Sequence, residues 1–264
     1  MFTSPRFTRT SWFSSPLQTA ALGAALLISA TAHAEPVNVA VAANLQYVFT
    51  ELASAFTKSS GIEVKPSFGA SGKFYTQITQ GAPFQVFLSA DMDFPQKLQE
   101  AGQTLENPKP YALGSLVVWT TRDLKIEDWQ KLVNDPAVSH IAVANPQTAP
   151  YGREAIHALT TFKLADAAKP KLVYGDNIGQ ATQYIVTGAA DFGFTAKSLV
   201  LAPDAKGKGK WVDVPASSYS PIEQGAVLLK YAKDHDLAAA QAFYKFLYSP
   251  TARAIFEQNG YRLP

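Results

Sequence analysis

A short apolar strand, a turn of small residues and an amphipathic helix follow one another three times within the first part of this 264-residue chain. That rhythm restricts the fold more than any other feature of the sequence. Val37-Asn38-Val39-Ala40-Val41-Ala42 is strand-like. Ala43-Asn44-Leu45 ends it, and Gln46 to Lys58 carries apolar residues at Val48, Leu52, Ala55 and Phe56, a helical spacing that Gly61 stops. The second unit runs from Ile62 to Phe68, turns at Gly69-Ala70-Ser71-Gly72, and continues as a helix from Lys73 to Gln80. The third is a strand from Phe84 to Leu88, the turn Ser89-Ala90-Asp91 and a helix through Gln99. Alternation of this kind predicts an α/β protein with mainly parallel sheets flanked by helices.

The unit recurs in the middle of the chain. Strands are expected at Leu116–Thr120, Ile141–Ala144, Lys171–Tyr174 and Asp191–Thr195, with helices at Trp129–Val133, Gly152–Phe162 and Ile178–Thr187. Two further strands, Trp211–Val214 and Gln224–Leu229, precede helices at Asp236–Leu247 and Thr251–Gln258. There is no long linker and no low-complexity tract. The expectation is a two-lobed protein: residues 35–114 with 231–264 in lobe 1, and 115–230 in lobe 2. The crossings between lobes are placed near 113–120 and 224–231.

The first 34 residues read as an address. Arg6 and Arg9 precede an apolar run from Thr19 to Ala32, and Ala32-His33-Ala34 offers a small-x-small cleavage site. The run is shorter than the roughly 20 residues that span a bilayer. Cleavage after Ala34 and release into the periplasm are expected. Removing this segment takes away two arginines and no acid, which leaves 21 basic and 21 acidic side chains. A neutral chain gives no argument for nucleic acid or an anionic membrane as partner. The absence of cysteine excludes disulfides, thiolate metal sites, thiol nucleophiles and a lipid-modified N-terminal Cys.

Catalytic signatures are missing. His140, His157 and His235 show no metal-ligand spacing, and no zinc-protease, nucleophile-elbow or phosphate-loop motif occurs. Asp91 and Asp93 are explained by a helix N-terminus, where carboxylates are favourable. The Lys/Gly alternation over Ala205–Lys210 reads as a solvated turn. Four strand-to-helix turns remain: Ala43-Asn44, Ala70-Ser71-Gly72, Pro150-Tyr151-Gly152 and Asn177-Ile178-Gly179. In a parallel sheet such turns gather at the carboxyl ends of the strands, where ligands bind. Each helix start offers unpaired N–H groups and about +0.5 charge, so four that converge could hold a dianion without lysine or arginine. On spacing alone, helix capping by Ser and Asn is the simpler account.

Several blocks of the sequence resemble the periplasmic molybdate-binding proteins. They are Val41-Ala42-Ala43-Asn44-Leu45, Ser67-Phe68-Gly69-Ala70-Ser71-Gly72, Gly81 to Asp91, Leu113 to Val118, Ala144-Asn145-Pro146 through Tyr151-Gly152, and Phe256 to Tyr261. The resemblance implies a two-lobed solute-binding fold of the second topological type. It implies high-affinity capture of molybdate or tungstate and delivery to the membrane permease of an ABC importer. It also implies oxyanion ligands at Asn44 and Ser71 (side chain and backbone) and at Tyr151 and Ile178 (mainly backbone N–H). Molybdenum would enter only as the oxyanion cargo, with no cofactor, no catalysis and a monomeric chain. Some members use a tyrosine hydroxyl near the position of Ala196, which here cannot donate. The competing expectations are a receptor for another oxyanion or a small organic anion, for which Asp176 or Arg153 in the cleft would be the sign, and an exported α/β hydrolase.

Overall fold

The computed structural model describes residues 35–264; the expected export signal over residues 1–34, with its cleavage point, lies outside the described residues. Val37–Ala42 (β1) is apolar at nearly every position and almost wholly buried, as a strand covered on both faces must be. It lies inside a five-stranded sheet with Val64–Gly69 (β2), Val86–Leu88 (β3), Lys109–Gly114 (β4) and Ile222–Leu228 (β10), in the order β2-β1-β3-β10-β4. Strand β2 contains Pro66, which cannot donate to a ladder, and accordingly it takes the edge. The second sheet contains Leu116–Thr120 (β5), Ile141–Ala144 (β6), Leu172–Gly175 (β7), Phe192–Ala196 (β8) and Lys210–Asp213 (β9), in the order β7-β6-β8-β5-β9.

The two sheets repeat one plan. In each, three neighbouring strands are parallel, and the fourth pairs antiparallel with both neighbours. That reversed strand, β10 or β5, is the one the chain enters directly from the other sheet. The first passage is abrupt: β4 ends at Gly114 and β5 begins at Leu116. The second runs through residues 214–221. Ile222–Leu228, which the sequence boundaries assign to lobe 2, pairs with β3 and β4 and so belongs to the first sheet. An apolar run carries no mark of its partner, so only long-range pairing such as Glu223 opposite Leu113 decides its sheet.

Among the described residues, ten α-helices cover the sheets: Val48–Ser60 (α1), Ser71–Thr79 (α2), Asp93–Glu100 (α3), Trp129–Asn134 (α4), Pro150–Thr161 (α5), Ala165–Ala168 (α6), Ile178–Val186 (α7), Lys197–Val200 (α8), Leu237–Phe246 (α9) and Pro250–Gln258 (α10). Their ends follow capping chemistry. Gly61 closes α1 in the left-handed region at φ 73°, its N–H on Thr57 O. Asn177, Asp236 and Ser249 cap α7, α9 and α10 with side-chain oxygens. One face of the first sheet packs Val37, Val39 and Val41 against Leu52, Phe56, Phe243 and Phe256; the other packs Phe87 and Val227 against Phe74 and Leu98. The second sheet buries Val118, Val143 and Phe194 with Trp129 and Leu159 on one face, and Val117 and Trp119 with Ile185 on the other.

Candidate functional site

Strands β1 and β2 are neighbours in the first sheet, and β6 and β7 are neighbours in the second. The segments leaving their carboxyl ends converge on one small cavity. Asn44 and Ser71 line it from the first sheet, and Tyr151 and Ile178 from the second. Alanines 42, 43, 70, 90 and 149 fill much of the remaining wall. Small side chains let the backbone come close to a guest. The free volume is about 10 Å³, about that of a single water-sized probe, whereas sites for drug-sized molecules run to roughly several hundred Å³.

Each of the four residues is placed by a local feature of the chain. Ser71 and Ile178 are the first residues of α2 and α7, so their N–H groups have no partner within the helix. Pro150 opens α5 and lacks an N–H, which makes Tyr151 the first donor of that helix. Gly152 then allows α5 to seat on the end of β6, because a Cβ there would lie 2.0 Å from Ala144 O. Asn44 differs from the expected pattern. It sits on a single 3-10 turn, Ala43–Leu45, and α1 starts only at Val48. Three helix dipoles therefore point at the site rather than four, together about +1.5. Among the described residues the backbone N–H groups of Asn44, Ser71, Tyr151 and Ile178 make no hydrogen bond. Ser71 Oγ accepts from Ala90 N–H at 2.9 Å, and no acceptor takes its own proton.

Side-chain chemistry beneath the cavity is more elaborate than the sequence suggests. Asn44 Nδ2 donates to Gln224 Oε1 at 2.8 Å and to Tyr261 Oη at 2.7 Å. Both amide protons are thereby engaged inside the protein, while Asn44 Oδ1 is buried without a partner. Gln224 Nε2 donates to Tyr151 Oη at 3.3 Å, and Tyr111 Oη lies 3.3 Å from Gln224 Oε1. Ser198 Oγ donates to Asn44 O at 2.8 Å. None of Gln224, Tyr111, Tyr261 or Ser198 emerges from sequence reasoning, since Asn44 is 180 residues from Gln224 and 217 from Tyr261. Burial pushes the phenols of Tyr111, Tyr151 and Tyr261 above their ordinary value, so they stay neutral donors and acceptors.

Among the described residues none that is charged lines the cavity. Arg153 is turned away: its guanidinium meets Asp91, Asp93 and Glu154, each at 3.1–3.2 Å. Burial raises the Asp91 carboxyl above its ordinary value, and Arg153 opposes that rise. Asp176 is exposed and paired with Lys73 at 2.8 Å. Ala196, at the end of β8, is buried and outside the lining. Among the described residues no three His, Asp or Glu gather as a metal site.

A family model for bacterial extracellular solute-binding protein matches residues 37–262. A molybdate-binding protein ModA of Azotobacter vinelandii is 43% identical over 92% of this chain and 96% of its own length. That of Rhodobacter capsulatus is 40% identical over 91% and 94%. The solved periplasmic molybdate-binding protein of Azotobacter vinelandii superposes with a TM-score of 0.81 at 37% identity, over 86% of this chain and 99% of that one. Two similar sheets, small-residue turns meeting at their facing ends and likeness along nearly the whole described length agree: the chain belongs to the bacterial extracellular solute-binding proteins, within the ModA family of molybdate-binding proteins.

Proposed function

We propose that this chain captures molybdate, with tungstate as a near-equal ligand, and delivers it to the permease of an ABC importer. The observation that carries the reading is a cavity lined by unpaired N–H groups and no charged side chain. Four backbone donors and the Ser71 hydroxyl are available to a guest. Hydrogen bonds to charged groups contribute about 1.5–3 kcal/mol each, and three helix dipoles add a favourable potential. Such a site suits a compact tetrahedral dianion. Asn44, Ser71, Tyr151 and Ile178 are the proposed ligands. Tyr151 and Ile178 act through backbone N–H, and so does Asn44 in the orientation in which both its amide protons are engaged by Gln224 Oε1 and Tyr261 Oη.

Each sheet with its helices forms one lobe, and the ligand draws the two together. The protein acts in the periplasm as a monomer, after removal of residues 1–34, and performs no catalysis. The relatives' names support the ligand, since both curated relatives are molybdate-binding proteins. Phosphate is disfavoured because near neutral pH it carries a proton that needs an acceptor. Competition calorimetry with molybdate, tungstate, sulfate and phosphate tests the reading. Tightest binding of sulfate or phosphate overturns it.

A further inference from the structure

Asn44 is fully buried at the cavity, and its one side-chain atom without a partner is an oxygen. Toward a bare oxyanion that is the wrong polarity, since it sets oxygen against oxygen. Resting on the ligand reading above, we infer that Gln224 is a positioning residue that sets which end of the Asn44 amide faces the guest, and so helps decide between bare and protonated oxyanions.

The two amides are coupled by geometry. Asn44 cannot rotate alone, because its Oδ1 would then take the place of Nδ2, 2.8 Å from Gln224 Oε1. If both amides turn by 180°, the contacts between the amides and the hydroxyls around them invert, and the Tyr261 hydroxyl gives up its present donation to Asn44 O and Ser198 Oγ, each at 3.1 Å. Gln224 Nε2 then donates to Asn44 Oδ1 and to Tyr111 Oη, which keeps its own proton for Ser89 O at 3.1 Å. Tyr261 Oη turns its proton to Asn44 Oδ1 while Ser198 Oγ keeps its own on Asn44 O, and Tyr151 Oη donates to Gln224 Oε1. The hydroxyls permit this because each either donates or accepts, and burial keeps them protonated. Amide oxygen and nitrogen have nearly the same shape, so the hydrogen-bond network alone fixes their orientation. The two closed networks differ in what Asn44 offers its unpartnered side: an acceptor in one, an N–H donor in the other. A fully deprotonated anion selects the donor state, whereas a guest bearing O–H favours the acceptor state. Gln224 is fully buried on β10 and touches the proposed ligand residues Asn44 and Tyr151, which come from different sheets.

Nuclear Overhauser contacts in the wild-type chain test the orientation without any variant. With molybdate bound, the Gln224 amide protons should contact the Tyr111 ring and not the Tyr151 ring; the reverse pattern overturns the inference. Calorimetry on Gln224→Met, Asn44→Ala and the double variant tests the role. Gln224→Met should weaken molybdate about tenfold or more and lower the molybdate-to-phosphate affinity ratio. In the Asn44→Ala background it should add less than about twofold. Equal weakening of both anions, or additive losses in the double variant, reduces Gln224 to a structural residue and overturns the proposal. A wild-type chain that takes up no molybdate overturns the ligand assignment instead, and the Overhauser pattern of the free protein still reports the amide orientation.

Discussion

Gly72→Ala should separate binding from stability, because the two respond with opposite signs. Gly72 is the second residue of α2, beside the first sheet, and its N–H donates to Thr148 O at 2.9 Å, in the loop before α5 of the second. A Cβ at 72 would stand 2.8 Å from the Phe94 ring tip, 3.0 Å from Thr148 Cα and 3.1 Å from Thr148 O. The ring tip can swing aside, but the Thr148 backbone cannot without moving its lobe. Overpacking of this kind costs about 1–3 kcal/mol. A few tenths of an ångström at backbone belongs at the low end, about 1–2 kcal/mol, or roughly 5- to 30-fold in affinity. Only the arrangement with both lobes together bears the cost. The helix itself gains from the change, since glycine is less favourable than alanine in a helix by up to about 1 kcal/mol. The expected result is weaker molybdate binding by calorimetry with an unchanged or higher urea midpoint for the free protein. Wild-type affinity in this variant would refute the contact between lobes as part of the bound state.

Three further outcomes are expected. Ser71→Ala removes a hydroxyl donor and leaves Ala90 N–H without its acceptor, so molybdate affinity should fall roughly 10- to 150-fold, and Ser71→Asp should abolish titration through like-charge repulsion. Arg153→Gln should keep molybdate affinity within about tenfold, because its guanidinium serves Asp91, Asp93 and Glu154; a loss of several hundredfold would mean that a cation grips the anion. Asp191 is buried, which raises its carboxyl, but N–H groups of His140 and Ser139 and the Arg122 guanidinium outweigh this and hold it below its ordinary 3.8. A depressed carboxylate stabilises the fold above that value and loses its contribution as pH falls through the folded value. Urea unfolding from pH 6 down to 3 should therefore show a steeper acid loss in wild type than in Asp191→Asn, with the variant weaker by about 2 kcal/mol or more at pH 6; parallel curves would show that Asp191 does not carry this linkage.

Local signals wrote the parts of the fold that were legible. The Val37–Ala42 run, the stop at Gly61 and the Ser71 and Ile178 helix starts are short-range features, and the structure has them within a few residues. Long-range pairing was not legible. The strand expected at Leu116–Thr120 is there, but Lys109–Gly114 just before Ser115 is a second strand, in the other sheet. The site divides along the same line. Small residues in turns after strands point to the cavity, because close backbone approach demands them. The partners that decide the Asn44 amide lie on β10 and near the C-terminus, and no local spacing brings Gln224 or Tyr261 to residue 44. The helix expected from Gln46 starts at Val48, and Asn44 before it sits on a 3-10 turn, a distinction that hydrophobic periodicity cannot make over three residues.

The proposed division of donors between the sheets bears on how the ion would be released. Asn44 and Ser71 belong to the first sheet's turns, Tyr151 and Ile178 to the second's. Separation of the lobes would strip two backbone donors from the guest in one motion. At about 1.5–3 kcal/mol per charge-assisted bond this is about 3–6 kcal/mol, or roughly two to four powers of ten in affinity. A site built on one lysine would not behave so, since the cation would stay with one lobe and keep its hold in the open state. With the proposed ligands, neutralisation by peptide groups from both sheets would make affinity a property of closure itself. A permease that merely holds the lobes apart would then free the anion without chemistry at the site. Charge at the cavity wall would undo the device: Ala70→Lys, adjacent to Ser71, should retain anion even when the lobes are held open, and slow the ion's release in stopped-flow displacement. Faster release from that variant would show that fixed charge does not govern escape, and that the split of donors is incidental.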